Sequence, residues 1–147
     1  MGAWGVGPFE NDDAADFVDE LVRGSVTEAH QRVEWALRVP SGRIEYPRGA
    51  TAIAAAALVD TCIDDARELE PELRDFAGRL RIDLSDEVVR SAYASLIRVE
   101  QGDSEWNELW LDVETWAAAR QVLRDIRTRV AADPRVSGVS LGQNTLF

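Results

Sequence analysis

The sequence has only one cysteine, Cys62, and only one histidine, His30. A single cysteine excludes an intrachain disulfide and a metal site built from several thiolates. No run of 18 apolar residues is present, which argues against a transmembrane helix, and no signal peptide precedes the first tryptophan. We therefore expect a cytoplasmic protein that does not associate with a membrane.

Lysine is absent, and all sixteen basic residues are arginine. This absence, together with abundant alanine, valine, aspartate and glycine, is typical of a GC-rich bacterial genome. The net charge is −11 and the pI is about 4.5. Because phosphate backbones require clustered positive charge, nucleic acid is not an expected partner. The acidity is compatible with a basic protein partner or a bound cation.

Apolar residues recur at helical spacing along most of the 147 residues. The pattern predicts an all-α fold: a single-domain bundle of about six helices, large enough to bury a core. The segment from Ala50 to Val59 is apolar on every side, as expected of a central helix. The helices are predicted to begin near Asp12, Ser25, Arg48, Pro71, Ser85 and Glu105. The third is predicted to end near Leu69 and the last near Ala132, with a break near residues 112–115.

The first sixteen residues combine glycines with large apolar side chains. The glycines at positions 2, 5 and 7 let the backbone pass close to another surface. Trp4 and Phe9 cannot be buried within so short a segment, so we expect them to pack into grooves between helices. Asn11 is predicted to cap the first helix. Asp12 and Asp13 then lie in its first turn, where carboxylates interact favourably with the helix dipole.

This run resembles the signature of a bacterial family known as domain of unknown function 4259. The signature is Gly-x-Trp-Gly-x-Gly, an aromatic residue, and then Asn-Asp-Asp-Ala-x-Asp. The matching residues are Gly2, Trp4, Gly5, Gly7, Phe9, Asn11, Asp12, Asp13, Ala14 and Asp16. Beyond residue 16 the resemblance is looser and rests on the alanine-rich middle helix and the tryptophan-rich late helix. The resemblance implies a fold but no established reaction.

Asp12, Asp13 and Asp16 also match an Asp-Asp-x-x-Asp box, in which carboxylates converge on Mg²⁺. Enzymes that use such a box place it within a helix of a larger fold and add a second carboxylate cluster. Asp60, Asp64 and Asp65 are candidates for that cluster. The other interpretation is that the first three carboxylates serve the helix start, with Asp16 hydrogen-bonded to the glycine segment. Asp60, Asp64 and Asp65 then lie at a solvated helix end.

Two further patterns are interpreted as structural. His30 lies on or beside the inner face of the second helix, and a catalytic base needs a nucleophile and an orienting partner within reach. Residues 138–142 have the letters of a Gly-x-Ser-x-Gly nucleophile elbow. That motif requires a helix after the serine and a histidine later in the chain, and neither is found. We therefore expect no catalytic residue and no cofactor.

The late tryptophans allow two interpretations. Trp106 and Trp110 are four residues apart and so share one helix face. Exposed, they would be anchors for a partner or a second copy of the chain; buried, they would belong to the core near Trp4. The sequence leaves monomer and homodimer open. The arginines that follow, namely Arg120, Arg124, Arg127 and Arg129, are predicted to form a solvated face paired with Asp125 and local acids.

The function expected from these observations is that of a small acidic binding protein without catalytic activity. It would neutralise or regulate a basic protein partner. Its candidate binding residues are Trp4, Phe9, Asn11, Asp12, Asp13, Asp16, Trp106 and Trp110. The alternative is a divalent-metal-dependent hydrolase of phosphorylated small molecules, with Asp12, Asp13, Asp16, Asp60 and Asp64 as its metal ligands.

Overall fold

The computed structural model describes residues 5, 7–63, 74, 84–108 and 113–136. The helices in this part are α1 (Asp12–Arg23), α2 (Val26–Leu37), α3 (Tyr46–Ile63), α4 (Asp86–Gln101), α5 (Glu105–Glu108) and α6 (Val113–Ala131). The prediction of an all-α, single-domain fold is confirmed. The helix predicted from Pro71, and the end of the third helix near Leu69, lie outside the described residues.

Three helices begin at side-chain caps that the sequence predicts. Asn11 Oδ1 accepts a hydrogen bond from the Ala14 N–H at 2.8 Å, at the start of α1. Ser25 and Glu28 form a reciprocal capping box at the start of α2, and each of its two bonds is 3.1 Å long. Ser85 caps α4. Each cap satisfies backbone N–H groups that have no partner within the helix.

The alanine-rich helix α3 is the centre of the fold. Every residue from Ala52 to Cys62 is buried, and α3 contacts each of the other five helices. Alanine side chains allow these neighbours to approach closely on all sides, because they extend little beyond the helix backbone. The prediction of a central helix is confirmed.

Helix α3 begins at Tyr46, two residues earlier than predicted, because another helix caps it. The Tyr46 N–H donates to a carboxylate oxygen of Glu105 at 2.7 Å. The preceding loop is tied to the same region, since Ile44 and Ser104 form an isolated parallel bridge. Ile44 is fully buried there. The sequence gives no local signal for this cap, because its acceptor lies 59 residues away.

The tryptophan-rich stretch contains two described helical segments. Helix α5 is described as far as Glu108 and α6 from Val113, and the break predicted near residues 112–115 stays a prediction. Residues 109–112 lie outside the described part of the chain. Among the described helices, none has the length and apolar character required to cross a membrane.

Candidate functional site

The described part of the N-terminal segment packs on the helical body. Phe9 is half-buried and packs against the core. The segment closes a cavity of about 20 Å³, room for about one water molecule. Its lining combines the segment with side chains of α3, α5 and α6: Gly5, Gly7, Pro8, Asn11, Tyr46, Ala50, Ile53, Trp106, Ala119, Val122 and Leu123. Trp4 lies outside the described residues.

The Gly7 N–H is bound by Glu10 and not by Asp16. The Glu10 carboxylate accepts this bond at 3.0 Å, which closes a tight turn just before α1. A Cβ atom at Gly5 or Gly7 would overlap the same carboxylate. The expected bond from Asp16 to the glycine segment is therefore wrong for the described residues, because a nearer carboxylate fills that role.

The three aspartates at the start of α1 lack a cationic partner within the described part of the chain. Asp12 and Asp16 are exposed and Asp13 is half-buried, and none of them forms an ion pair with a described residue. Partial burial, followed by the charges of Asp16 and Asp12, raises the pKa of Asp13 above its ordinary value. Repulsion from the neighbouring carboxylates therefore adds to the effect of burial on the pKa of Asp13.

The predicted second acidic cluster is not assembled with the first within the described residues. Asp60 is 2% exposed, and its Oδ2 lies 3.0 Å from the Nε of Arg129, so it is a buried ion-pair partner and not part of a solvated helix end. Among the described side chains, no group of three acids, histidines or cysteines is placed to hold a metal ion. Asp64 and Asp65 lie outside the described residues.

Trp106 belongs to the core of the described structure. It is 5% exposed, and its ring centroid lies 5.4 Å from that of Trp116 at an interplanar angle of 59°. Such tilted aromatic pairs are favourable packing arrangements. The burial of Trp106 favours the interpretation that it belongs to the core over the interpretation that it anchors a partner. Trp110 and the Gly-x-Ser-x-Gly run lie outside the described residues, and His30 is half-buried on α2.

Among the described tryptophans, the exposed one is Trp35 on α2, which sequence reasoning did not single out. It is 57% exposed, and the guanidinium carbon of Arg48 lies 3.7 Å above its ring centroid. The signal was available in the sequence, because Trp35 lies off the buried stripe formed by Ala29, Val33 and Ala36.

Trp35 borders an open groove of about 390 Å³, hereafter the α1–α2 groove. Its lining residues are Glu20, Glu28, Gln31, Arg32 and Trp35. Arg32 bridges the two helices through a 2.8 Å bond to Glu20. The groove therefore combines one aromatic surface with charged and polar side chains.

An acidic face of α1 leads to this groove. It consists of Asp12, Asp13, Asp16, Asp19 and Glu20. At 3.6 residues per turn these five positions cover about a third of the helix circumference. The buried side chains Ala14, Phe17 and Leu21 lie on the other side of the helix. The face thus presents carboxylates to solvent from the helix start as far as the groove.

A second charged cluster lies where α4 packs on α6. The Glu100 side chain is fully buried and accepts hydrogen bonds from Arg120, Arg124 and Arg127 at 2.7, 2.8 and 2.7 Å. The predicted pairing of these arginines with Asp125 is wrong, because Asp125 accepts from Gln121 and the arginines turn to Glu100. Glu100 was missed, although it lies four residues after buried Leu96, on the apolar stripe of its helix.

Residues 2–121 match the model of a family described as "Domain of unknown function (DUF4259)". The resemblance first drawn from sixteen residues therefore extends over most of the chain. No curated protein and no solved structure matches the sequence.

Proposed function

Since the chain belongs to the DUF4259 family, whose description names no reaction, we propose its function from its surface. It is a small acidic protein of the cytoplasm that binds a basic protein partner without catalysing a reaction. The partner lies along the acidic face of α1 and inserts a side chain into the α1–α2 groove. By covering the partner's basic surface, the protein neutralises or regulates that partner.

The observation that carries the proposal is the continuity between the acidic face and Trp35. Asp12 and Asp16 have no cationic partner among the described residues, and Glu20 lies one turn further along, at the groove. A basic segment aligned with this row meets three carboxylates in succession. Complementary charge of this kind accelerates association and fixes the register of the partner.

Trp35 supplies the anchor that charge alone lacks. Tryptophan and arginine are enriched among the few residues that dominate binding energy at protein interfaces. Arg48 covers one face of the ring and donates to the carbonyl oxygens of Trp35 and Arg38 at 3.3 and 2.8 Å, which holds both side chains in place. A pre-ordered anchor loses less conformational entropy on binding than a free one.

Affinity capture with paired variants tests the proposal. Immobilised wild-type protein is incubated with host extract, and retained proteins are quantified by mass spectrometry. We expect enrichment of a protein of basic pI, reduced at least tenfold by Asp12→Asn/Asp16→Asn and by Trp35→Ala. The matched control is Glu45→Gln/Glu87→Gln, which changes the charge equally at two other exposed acids.

Two outcomes would contradict the proposal. One is that no basic protein is enriched over beads alone. The other is that the control variant loses the partner as completely as the variant of the acidic face, since nonspecific charge attraction would then explain retention. Raising the salt concentration should weaken the specific capture, because exposed charges are screened over about 8 Å at physiological ionic strength.

The metal-dependent hydrolase stays a prediction, and no observation on the described residues favours it. It requires Mg²⁺ or Mn²⁺ to bind the folded protein at Asp12, Asp13 and Asp16. Such binding would raise the melting temperature, since a ligand selective for the folded state stabilises it. A shift that Asp16→Asn abolishes would support the hydrolase, and identical melting with and without either ion would exclude it.

A further inference from the structure

The three arginines around Glu100 carry more charge than that carboxylate compensates. Burial of the Glu100 carboxyl opposes its ionisation. The hydrogen bonds from Arg120 and Arg124 and the charges of Arg127 and Arg124 outweigh this and lower its pKa below the ordinary value. Glu100 is therefore ionised at neutral pH. Three guanidinium groups face one carboxylate, which leaves two positive charges without an ion-pair partner among the described residues.

Most of the hydrogen-bond donors of these arginines have no acceptor among the described residues. Arg120 and Arg124 each donate to Glu100 through Nε, and Arg127 donates through Nη1. A guanidinium group has five N–H donors in a rigid planar fork. No other described residue accepts a hydrogen bond from the terminal nitrogens of Arg120 or Arg124, and both side chains are 40% exposed.

Glu100 is contacted by more arginines than its buried carboxylate requires. One arginine in a bidentate, fork-to-fork contact satisfies both oxygens of a carboxylate. Here three arginines contact Glu100, at positions i, i+4 and i+7 of α6, so they share one helix face. The buried Glu100 carboxylate accepts a hydrogen bond from each of them and so fixes their mutual spacing. The outer edges of the three groups are thus ordered before any ligand arrives, which lowers the entropy cost of binding.

We propose that Arg120, Arg124 and Arg127 form a binding site for a phosphate group, with Glu100 as the residue that positions them. A phosphate group carries a charge of about −1.5 to −2 at neutral pH, which matches the local surplus of two positive charges. Its several acceptor oxygens can accept hydrogen bonds from the donors that Glu100 leaves free. The site lies on α6 and is separate from the proposed protein-binding surface on α1 and α2.

Titration with inorganic phosphate at constant ionic strength tests this site. The Nε–Hε signals of Arg120 and Arg124 are suitable NMR probes, because both groups are hydrogen-bonded to a buried carboxylate. We expect saturable shifts of these signals with phosphate and none with nitrate at equal ionic strength. A parallel titration with glycerol 3-phosphate separates the sources: tighter binding than phosphate identifies a phosphomonoester, and weaker binding identifies the free ion.

Single substitutions provide the controls. Arg120→Gln and Arg124→Gln each leave two arginines on Glu100, and each is expected to weaken phosphate binding at least tenfold. Arg23→Gln, which removes an exposed arginine of α1 paired with Asp19, should leave the affinity unchanged. The signal of the remaining probe, Arg124 or Arg120, reports binding in each variant and also reports that the cluster is folded.

Glu100→Gln distinguishes an ordered site from simple charge attraction. It raises the local positive charge, so attraction alone predicts tighter phosphate binding. Loss of the positioning carboxylate predicts weaker binding by at least tenfold, which is the expected result. The proposal is overturned if wild-type shifts with phosphate do not saturate, or if Arg120→Gln and Arg124→Gln bind phosphate as tightly as Arg23→Gln.

Discussion

The Nε of Arg129 lies 3.0 Å from the Oδ2 of Asp60, in an ion pair that joins α6 to the middle of the fold. Asp60 is the one acidic residue of α3, and it is surrounded by buried positions on its own helix. A buried carboxylate loses its hydration, so it persists only where a cation and hydrogen bonds replace the lost water. This ion pair therefore specifies how α6 docks on the alanine-rich helix.

Asp60→Asn should lower the free energy of unfolding by about 2 to 3 kcal/mol. Removing one partner of a buried ion pair costs roughly 3 to 5 kcal/mol, and the cost is reduced here because Arg129 keeps partial access to water. Urea unfolding followed by circular dichroism measures the change. Asp19→Asn is the control, since its exposed pair with Arg23 should contribute at most about 0.5 kcal/mol. Equal effects of the two substitutions would contradict the assigned role of Asp60.

Asn11→Ala should destabilise the protein by about 1 kcal/mol. The substitution removes the acceptor for the Ala14 N–H, and Asn11 is 8% exposed, so water does not fully replace it. Asn11→Ser retains a capping oxygen and should cost a few tenths of a kcal/mol. The same urea titration compares the two. A serine variant as unstable as the alanine variant would show that Asn11 acts through packing rather than through its cap.

Gly102→Ala should be destabilising, whereas Gly24→Ala should be close to neutral. Both glycines end helices with nearly identical backbone angles, φ of −87° and −86°. A Cβ at Gly102 would lie 2.6 Å from the Arg98 carbonyl oxygen, but a Cβ at Gly24 meets nothing closer than 3.5 Å. Since backbone atoms must move to relieve the overlap, we expect a loss of about 1 to 2 kcal/mol at Gly102.

Thermal unfolding of the two glycine variants checks this difference. Gly24→Ala retains the native contacts and reduces the freedom of the unfolded chain, so a small gain in stability is compatible with the prediction. A melting temperature of Gly102→Ala equal to that of the wild type would show that the helix end adjusts without cost.

The sequence predicts those features whose causes are local. Asn11, Ser25 and Ser85 precede apolar periodic stretches, and a cap lies within three residues of the N–H that it binds. The unbroken apolar stretch of α3 likewise indicates its central position. Trp35 could have been identified as exposed by the same periodicity.

The charge pairing could not be predicted because its partners are distant in sequence. Arg127 meets Glu100 across 27 residues, and Arg129 meets Asp60 across 69. Sequence periodicity places Arg127 and Arg129 beside the core stripe of α6. Which acid each arginine contacts depends on how α3, α4 and α6 pack together. The same holds for the candidate site. The acidic residues of α1 could be identified from the sequence, but their position next to the α1–α2 groove is known only from the fold.

Glu100→Gln should remove about 3 to 4 kcal/mol of stability at neutral pH, and this difference should shrink in acid. The folded-state pKa of Glu100 lies below the ordinary value of 4.5, despite the opposing effect of burial, because of its arginine partners. A lowered pKa means that ionised Glu100 stabilises the fold fully above pH 4.5. The contribution is then lost as pH falls through the folded-state pKa. The expected loss of stability has the magnitude found when one partner of a buried ion pair is removed.

Urea unfolding of both proteins at pH 7 and at steps from pH 5 to pH 3 measures this dependence. The stability of the wild type should fall towards that of Glu100→Gln below pH 4.5, because protonation leaves wild-type Glu100 as uncharged as glutamine. Glu34→Gln, which breaks an exposed ion pair with Arg38, should cost well under 1 kcal/mol at pH 7. A gap between wild type and Glu100→Gln that stays constant down to pH 3 would mean that glutamine fails for steric reasons. The charge of Glu100 would then not be what holds α4 and α6 together.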